Sequence, residues 1–271
     1  MALTAENLSV RLGRTRILRD IELSAKAGEI TVVVGPNGSG KTTLLRALTG
    51  DVPYEGRVAL NGVNTRGLSA ADLAQLRAVL PQASALSFPF TVLEVVRLGL
   101  TTGQAVAGFD TSDRLPLAAL RRVGLGGFEG RMFENLSGGE QQRVQLARVL
   151  VQIWDPVLKG TPRWLFLDEP VSALDIGHQL LVMEIAKDFA RAGGGVLAVL
   201  HDLNLTSMIA DQVILMHHGQ VLGRGAAEDV LRNDTLSTAY GCDLKINTAP
   251  SSTKPWLLPQ SAALPVLAVA E

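Results

Sequence analysis

Apolar and polar positions along the chain fall into two rhythms, one of strand length and one of helical spacing. Short β-type segments at 8–12, 21–24 and 57–60 predict strands, with turns at Gly28-Glu29 and Asn61-Gly62. They bracket a run at 30–34 that is apolar almost throughout, and the same holds at 164–167 and 196–200. Runs of that length with no polar side predict strands covered on both faces by helices. A helix is predicted from 41 to about 50, and Leu181, Ile185 and Phe189 recur at helical spacing between the last two strands. The fold class is therefore α/β, a mainly parallel sheet fronted by a small antiparallel β layer.

From about 83 to 157 the strand signal fades, and helical patterns at 92–100, 115–123 and 137–154 replace it. This stretch predicts an inserted helical lobe within a core made of 1–82 and 158–247. In its last helix Val144, Ala147, Val151 and Trp154 share one face, with Gln142, Arg143 and Gln145 expected away from it. After residue 248, prolines, serines and small residues alternate, which predicts an irregular tail to 271.

Composition narrows the function. The chain has 271 residues, 47% of them hydrophobic, which suits one large domain with an inserted lobe. A net charge of -1 gives no basic face for nucleic acid, so DNA and RNA are not expected partners. The single cysteine, Cys242, excludes an internal disulfide and fits a reducing compartment. No apolar run reaches the length that spans a bilayer, and the first residues lack a secretory pattern. A cytosolic or peripheral membrane location is expected.

Residues Gly35-Pro36-Asn37-Gly38-Ser39-Gly40-Lys41-Thr42, between a buried strand and a helix, fit G-x-x-x-x-G-K-[ST]. In that loop backbone N–H groups cradle phosphates, the lysine reaches the β- and γ-phosphates, and the threonine hydroxyl ligates Mg²⁺. The strand at 164–167 ends in Asp168-Glu169, two carboxylates at the sheet edge where α/β proteins bind ligands. Asp168 is expected to hold the metal through water, and Glu169 to position or deprotonate the attacking water. A second glycine loop, Leu136-Ser137-Gly138-Gly139-Glu140, opens into a helix about a hundred residues later. Two phosphate-reading loops on one compact chain suggest that the second serves a neighbour's nucleotide, making the working unit a dimer.

Together these elements resemble the ATP-binding subunit of an ABC transporter, a P-loop NTPase with a RecA-like core, over nearly the whole chain to about residue 247. Gly35 to Thr42 matches Walker A, Gln82 the Q-loop glutamine, and Leu136 to Glu140 the family signature. Asp168 and Glu169 match Walker B and the catalytic glutamate, Ser172-Ala173-Leu174-Asp175 the D-loop, and His201 the switch histidine. The resemblance implies ATP and Mg²⁺ as cofactors. It implies Glu169, His201 and Gln82 as catalytic residues and Thr42, Gln82 and Asp168 at the metal. Gly35, Pro36, Asn37, Gly38, Ser39, Gly40, Lys41, Thr42 and Thr43 would bind nucleotide, with Ser137, Gly138 and Gly139 reaching it from the other copy. The implied partners are a second copy of the chain, two copies of a transmembrane permease, and indirectly a periplasmic binding protein.

Within the family the chain looks most like the haem-import ATPases, carried by 86–92, 155–163, 174–179 and 201–205. Import of haem across the inner membrane, from its cytoplasmic face, is the expected role. Ferric siderophore or cobalamin is the alternative cargo, and a soluble non-transport ABC ATPase is a further alternative. Family members usually place an aromatic residue in the first strand to stack on adenine, and Val10 is taken to stand there, leaving the base to be held by apolar contact or by Arg11 or Arg16 stacking on its face. Phe88 and Phe90 are either lobe core or a groove for a permease helix. His217-His218, before Gly219, marks a turn.

Overall fold

A computed structural model describes residues 1–82, 88–102, 113–249, 251 and 255–261. The chain opens with β1 (Ala2–Leu12) and β2 (Thr15–Lys26), an antiparallel pair, followed by β3 (Ile30–Val34) and α1 (Lys41–Thr49). Then come β4 (Glu55–Leu60), β5 (Val63–Asn64), α2 (Ala70–Leu76) and β6 (Arg77–Leu80). The helical stretch holds α3 (Val92–Thr102), α4 (Arg114–Arg122) and α5 (Gly138–Gln152). A small hairpin, β7 (Val157–Leu158) and β8 (Thr161–Pro162), leads into β9 (Trp164–Asp168), α6 (Ile176–Arg191) and β10 (Gly195–Val199). The described chain finishes with α7 (Leu203–Ile209), β11 (Gln212–His217), β12 (Gln220–Gly225), α8 (Ala227–Val230) and α9 (Asn233–Tyr240).

Two larger sheets result. The antiparallel one runs β2-β1-β4-β5; the other runs β12-β11-β3-β10-β9-β6, parallel except for β12. Its central strands are apolar on both sides because both sides are covered. Val33, Trp164, Phe166, Leu197, Val199 and Ile214 pack with α1 and the antiparallel layer. Val32, Leu165, Leu167, Val196, Ala198 and Val213 pack on the opposite side, in one core with α3 to α7. The side chains alternate between two cores, which is why the sequence shows continuous apolarity and not alternation. Trp164 ties the layers together: its Nε1 donates to Asn61 Oδ1 at 3.1 Å, and Asn61 Nδ2 donates to the Pro162 carbonyl at 2.8 Å.

Two expectations change. β6 was not legible as a strand, because four residues carry no readable alternation; parallel pairing with β9 creates it. Arg143 and Gln145 do not lie away from the core but are 8% and 4% exposed. α5 is enclosed nearly all round, and Arg143 meets the cost of burial by donating to the carbonyls of Val123 and Gly124 at 3.1 and 3.2 Å. In the tail, residues 259–261 form a 3-10 turn against α7, where Gln260 Nε2 lies 3.3 Å from the Asn204 carbonyl and from Ser207 Oγ.

Candidate active site

Sheet register decides which side chains meet. Val199 lies opposite Val33 on one side and Asp168 on the other, and Leu80 lies opposite Leu167. Four parallel neighbours therefore release their chains at one edge: Gly35 after β3, His201 after β10, Glu169 after β9 and Gln82 after β6. Residues far apart in sequence become neighbours through strand order.

From β3 the chain turns through the glycine loop into α1. At Gly35, φ is 145° and a Cβ would stand 2.2 Å from the Met216 carbonyl oxygen, so glycine is required there. The turn folds Lys41 back over the loop, where its Nζ donates to the carbonyls of Gly35 at 2.8 Å and Pro36 at 3.1 Å. Lys41 is 5% exposed; burial lowers its pKa, opposed by the nearby charges of Glu169 and Asp168. A buried ammonium held by neutral carbonyls has its charge available for an anion. Asn37, Gly38, Gly40, Lys41, Thr42 and Thr43 line a shallow cleft with Glu169, His201 and Ile17. Ser39 is buried beneath the loop, and its carbonyl accepts from Gly219 N.

Thr42 Oγ1 donates to Asp168 Oδ1 at 3.3 Å. Asp168 is 3% exposed, and burial raises its carboxyl pKa above the ordinary 3.8 while the Thr42 bond pulls the other way. A hydroxyl beside a carboxylate with little other protein supply is the donor set of a hard cation that keeps most of its waters. Gln82 lines the adjoining cleft with Thr42 and Asp168. Among the described residues there is no cage of three or more His, Cys, Asp or Glu.

Glu169 is the point of convergence. Its Oε1 lies 2.6 Å from His201 Nε2, and its Oε2 accepts from Gln82 Nε2 at 2.8 Å. Its backbone sits at φ 50°, a conformation non-glycine residues rarely adopt, and turns the carboxylate toward the cleft instead of letting it continue the strand. A carboxylate fixed by two partners beside a lysine-lined cleft can orient a water and take its proton.

The second loop is built differently. Ser137 caps α5: its Oγ accepts from Glu140 N, and Glu140 Oε2 accepts from Ser137 N at 2.7 Å. The Ser137 hydroxyl, donating to Glu140 Oε2 at 2.7 Å, and the Ser137 N–H together hold the Glu140 carboxyl below the ordinary range. Ser137 and Gly138 are exposed. Gly139 lies against the D-loop, where a Cβ would stand 3.0 Å from the Ala173 carbonyl oxygen. The structure thus brings together Lys41, Thr42, Asp168, Glu169, Gln82 and His201, and leaves Ser137, Gly138 and Gly139 outside that cluster.

Val10 cannot carry a base-stacking role. It is 1% exposed and pairs with Leu18 inside the core between the layers. Arg16 is engaged too, its NH2 donating to Ser9 Oγ and Asp20 Oδ1, both at 2.9 Å. Ile17, which no sequence signal marked, borders the nucleotide-loop cleft instead. Phe88 and Phe90 divide: Phe88 is 71% exposed, while Phe90 packs on the core, their rings edge to face at 6.2 Å. His218 stands at φ 47°, as a turn residue should.

The family model described as ABC transporter matches residues 18–172, more than half the chain. The Hemin import ATP-binding protein HmuV of Jannaschia sp. (strain CCS1) is 58% identical over 96% of this chain and 95% of its own. The protein of the same name from Mesorhizobium japonicum is 55% identical, over 95% and 98%. Among solved structures, a nucleotide-free ATP-binding cassette from an ABC transporter superposes with a TM-score of 0.75 at 22% identity, covering 89% of this chain and 99% of that one. The ATP binding subunit of an ABC transporter gives a TM-score of 0.74 at 22% identity, over 90% and 95%.

Proposed function

Because the chain belongs to the ATP-binding proteins of the ABC transporter family, we propose that it drives haem import across the inner membrane. It is an ABC-type ATPase. The observation that carries the hydrolytic reading is the Glu169 carboxylate held between Gln82 and His201 beside Lys41, Thr42 and Asp168. Haem as cargo rests on the relatives named for hemin import.

In this reading backbone N–H groups between Asn37 and Thr43 and the Lys41 ammonium hold the triphosphate at the start of α1, with Gly35 and Pro36 shaping the turn. The Thr42 hydroxyl and Asp168 would hold Mg²⁺, with Gln82 lining the same cleft. When bound, Mg²⁺ neutralises charge on the β- and γ-phosphate oxygens. Glu169 orients the attacking water and accepts its proton; His201 keeps the carboxylate in place and contacts the γ-phosphate. Ser137 and the amides of Gly138 and Gly139 reach the γ-phosphate held by the other copy, so two copies enclose two nucleotides.

Two permease subunits receive the resulting motion through the helical lobe at 83–157, and a periplasmic haem-binding protein supplies the cargo. Phe88 offers the permease an exposed aromatic contact. No described helix is long and apolar enough to cross a membrane, in keeping with a peripheral subunit at the cytoplasmic face. Reconstitution tests the cargo: with its permease in proteoliposomes, a haem-loaded binding protein should stimulate hydrolysis and deliver haem. Stimulation only by a ferric-siderophore or cobalamin-loaded protein would replace haem in the proposal.

A further inference from the structure

Glu169 is held at its backbone as well as its carboxylate. Its N–H donates to the Val199 carbonyl at 3.1 Å. Its own carbonyl accepts from Ser172 N at 3.4 Å, from Ser172 Oγ at 3.3 Å and, most closely, from Gln142 Nε2 at 3.0 Å. The residue sits at φ 50°, so the direction of its carboxylate depends on how that peptide is pinned. Among the described residues, Gln142 is thus the one donor to this carbonyl that comes from outside the segment 169–172.

Gln142 lies on α5, four residues into the helix that Ser137 caps. Arg143, the next residue, is buried and bonded to the carbonyls of Val123 and Gly124 beyond α4, so this end of α5 is tied to the helical lobe. The Gln142 amide therefore crosses from the lobe to the catalytic strand end. Its other atom, Oε1, is buried without a hydrogen-bond partner, so the amide is fixed through its NH2 alone and follows α5.

We infer that Gln142 is a positioning residue that sets Glu169 through its main-chain carbonyl and couples the two nucleotide sites of the dimer. The inference rests on the shared-site reading above. Ser137 to Gly139 of one chain meet the nucleotide held by the other, whereas Glu169 of that same chain serves its own. Arrival of the γ-phosphate at the start of α5 moves Gln142, and Gln142 moves Glu169. Occupancy of one site is thereby reported to the carboxylate of the other.

The test compares Gln142→Met, equal in length but without the donor, with Ser172→Ala and the double variant, in the complete permease complex. Expected for Gln142→Met is a fall in kcat of about tenfold or more with KM for ATP little changed, because the displaced group acts only on the reacting water. The Hill coefficient for ATP should fall toward non-cooperative behaviour. The Ser172→Ala effect should be smaller, and the double variant non-additive, since both donors share one acceptor. An unchanged kcat, a change confined to KM, or a lowered kcat with full cooperativity would each overturn the inference. ATP-driven dimerisation of Glu169→Gln, with Gln142 intact, separates the two failures: a dimer there leaves the shared site standing even if Gln142→Met behaves as wild type.

Discussion

The two glycine loops of this chain are built to opposite specifications. The loop from Gly35 to Lys41 is closed on its own chain, its lysine 5% exposed and bonded to the loop's own carbonyls and Thr42 already against Asp168, with Asn37 and Gly38 exposed at its tip. The loop from Ser137 to Gly139 is locally rigid, capped reciprocally with Glu140, yet its first two residues face solvent. One is a site nearly assembled within the subunit; the other is a finished surface with no ligand-binding counterpart on its own chain. The difference teaches what the proposed shared site requires: folding completes one half of each nucleotide site, and association with a second copy supplies the other.

Substitutions can break that contrast at either end. The largest effect belongs to the lysine-bearing loop. Lys41→Ala should cut ATP hydrolysis by about 10²–10³-fold, the cost of losing one positioned donor to a phosphate, and should weaken nucleotide binding by the lone subunit, read by a fluorescent ATP analogue. Ser137→Ala should also cut hydrolysis, while lone-subunit binding stays intact; its helix cap costs about 1 kcal/mol, visible as a modest drop in Tm. Mixing the Lys41→Ala and Ser137→Ala proteins should restore activity that neither shows alone, since a mixed dimer holds one complete site. Absence of any recovery would place both loops on the same nucleotide.

Smaller effects sharpen the picture. Phe88→Ala should leave basal hydrolysis unchanged and reduce its stimulation by the permease, because Phe88 is exposed and Phe90, the core-packed partner, is retained. Val10 is buried and Ile17 borders the cleft, so in the proposed site an aliphatic side chain faces the base and GTP should be hydrolysed within about a hundredfold of ATP. The smallest effect concerns pH. Burial raises the Asp168 pKa above 3.8, so the metal-free protein binds more protons at this group than the unfolded chain does. The corresponding stability is fully present below 3.8 and is lost as pH rises through the raised folded value. Asp168→Asn should flatten that slope in metal-free thermal melts.

Much of this was readable in the sequence because it depends on local spacing. The nucleotide loop, the strand-end carboxylates and the capped glycine loop each announce themselves within eight residues. Gln82 and His201 were placed by family resemblance, and strand register gives the physical reason they meet: β6, β9 and β10 end side by side. What was missed depends on which side of a layer a residue faces. Val10 looked available because it stands in the first strand, but pairing with β2 turns it into the core. Arg143 and Gln145 were placed on an outer face by polarity and helical spacing, yet α5 has no such face over most of its length. Gln142 was read only as a polar position on that helix, with no sign of a role at the site, since its partner is a backbone carbonyl 27 positions away in sequence.

The shared site is tested most directly by the oligomeric state of Glu169→Gln with Mg²⁺ and ATP, measured by size-exclusion chromatography with light scattering. Binding without hydrolysis should trap a stable dimer carrying two ATP molecules, and adding Ser137→Ala to the same chain should weaken it. A protein that binds ATP fully and remains a monomer would contradict the claim that the exposed loop reads its neighbour's nucleotide.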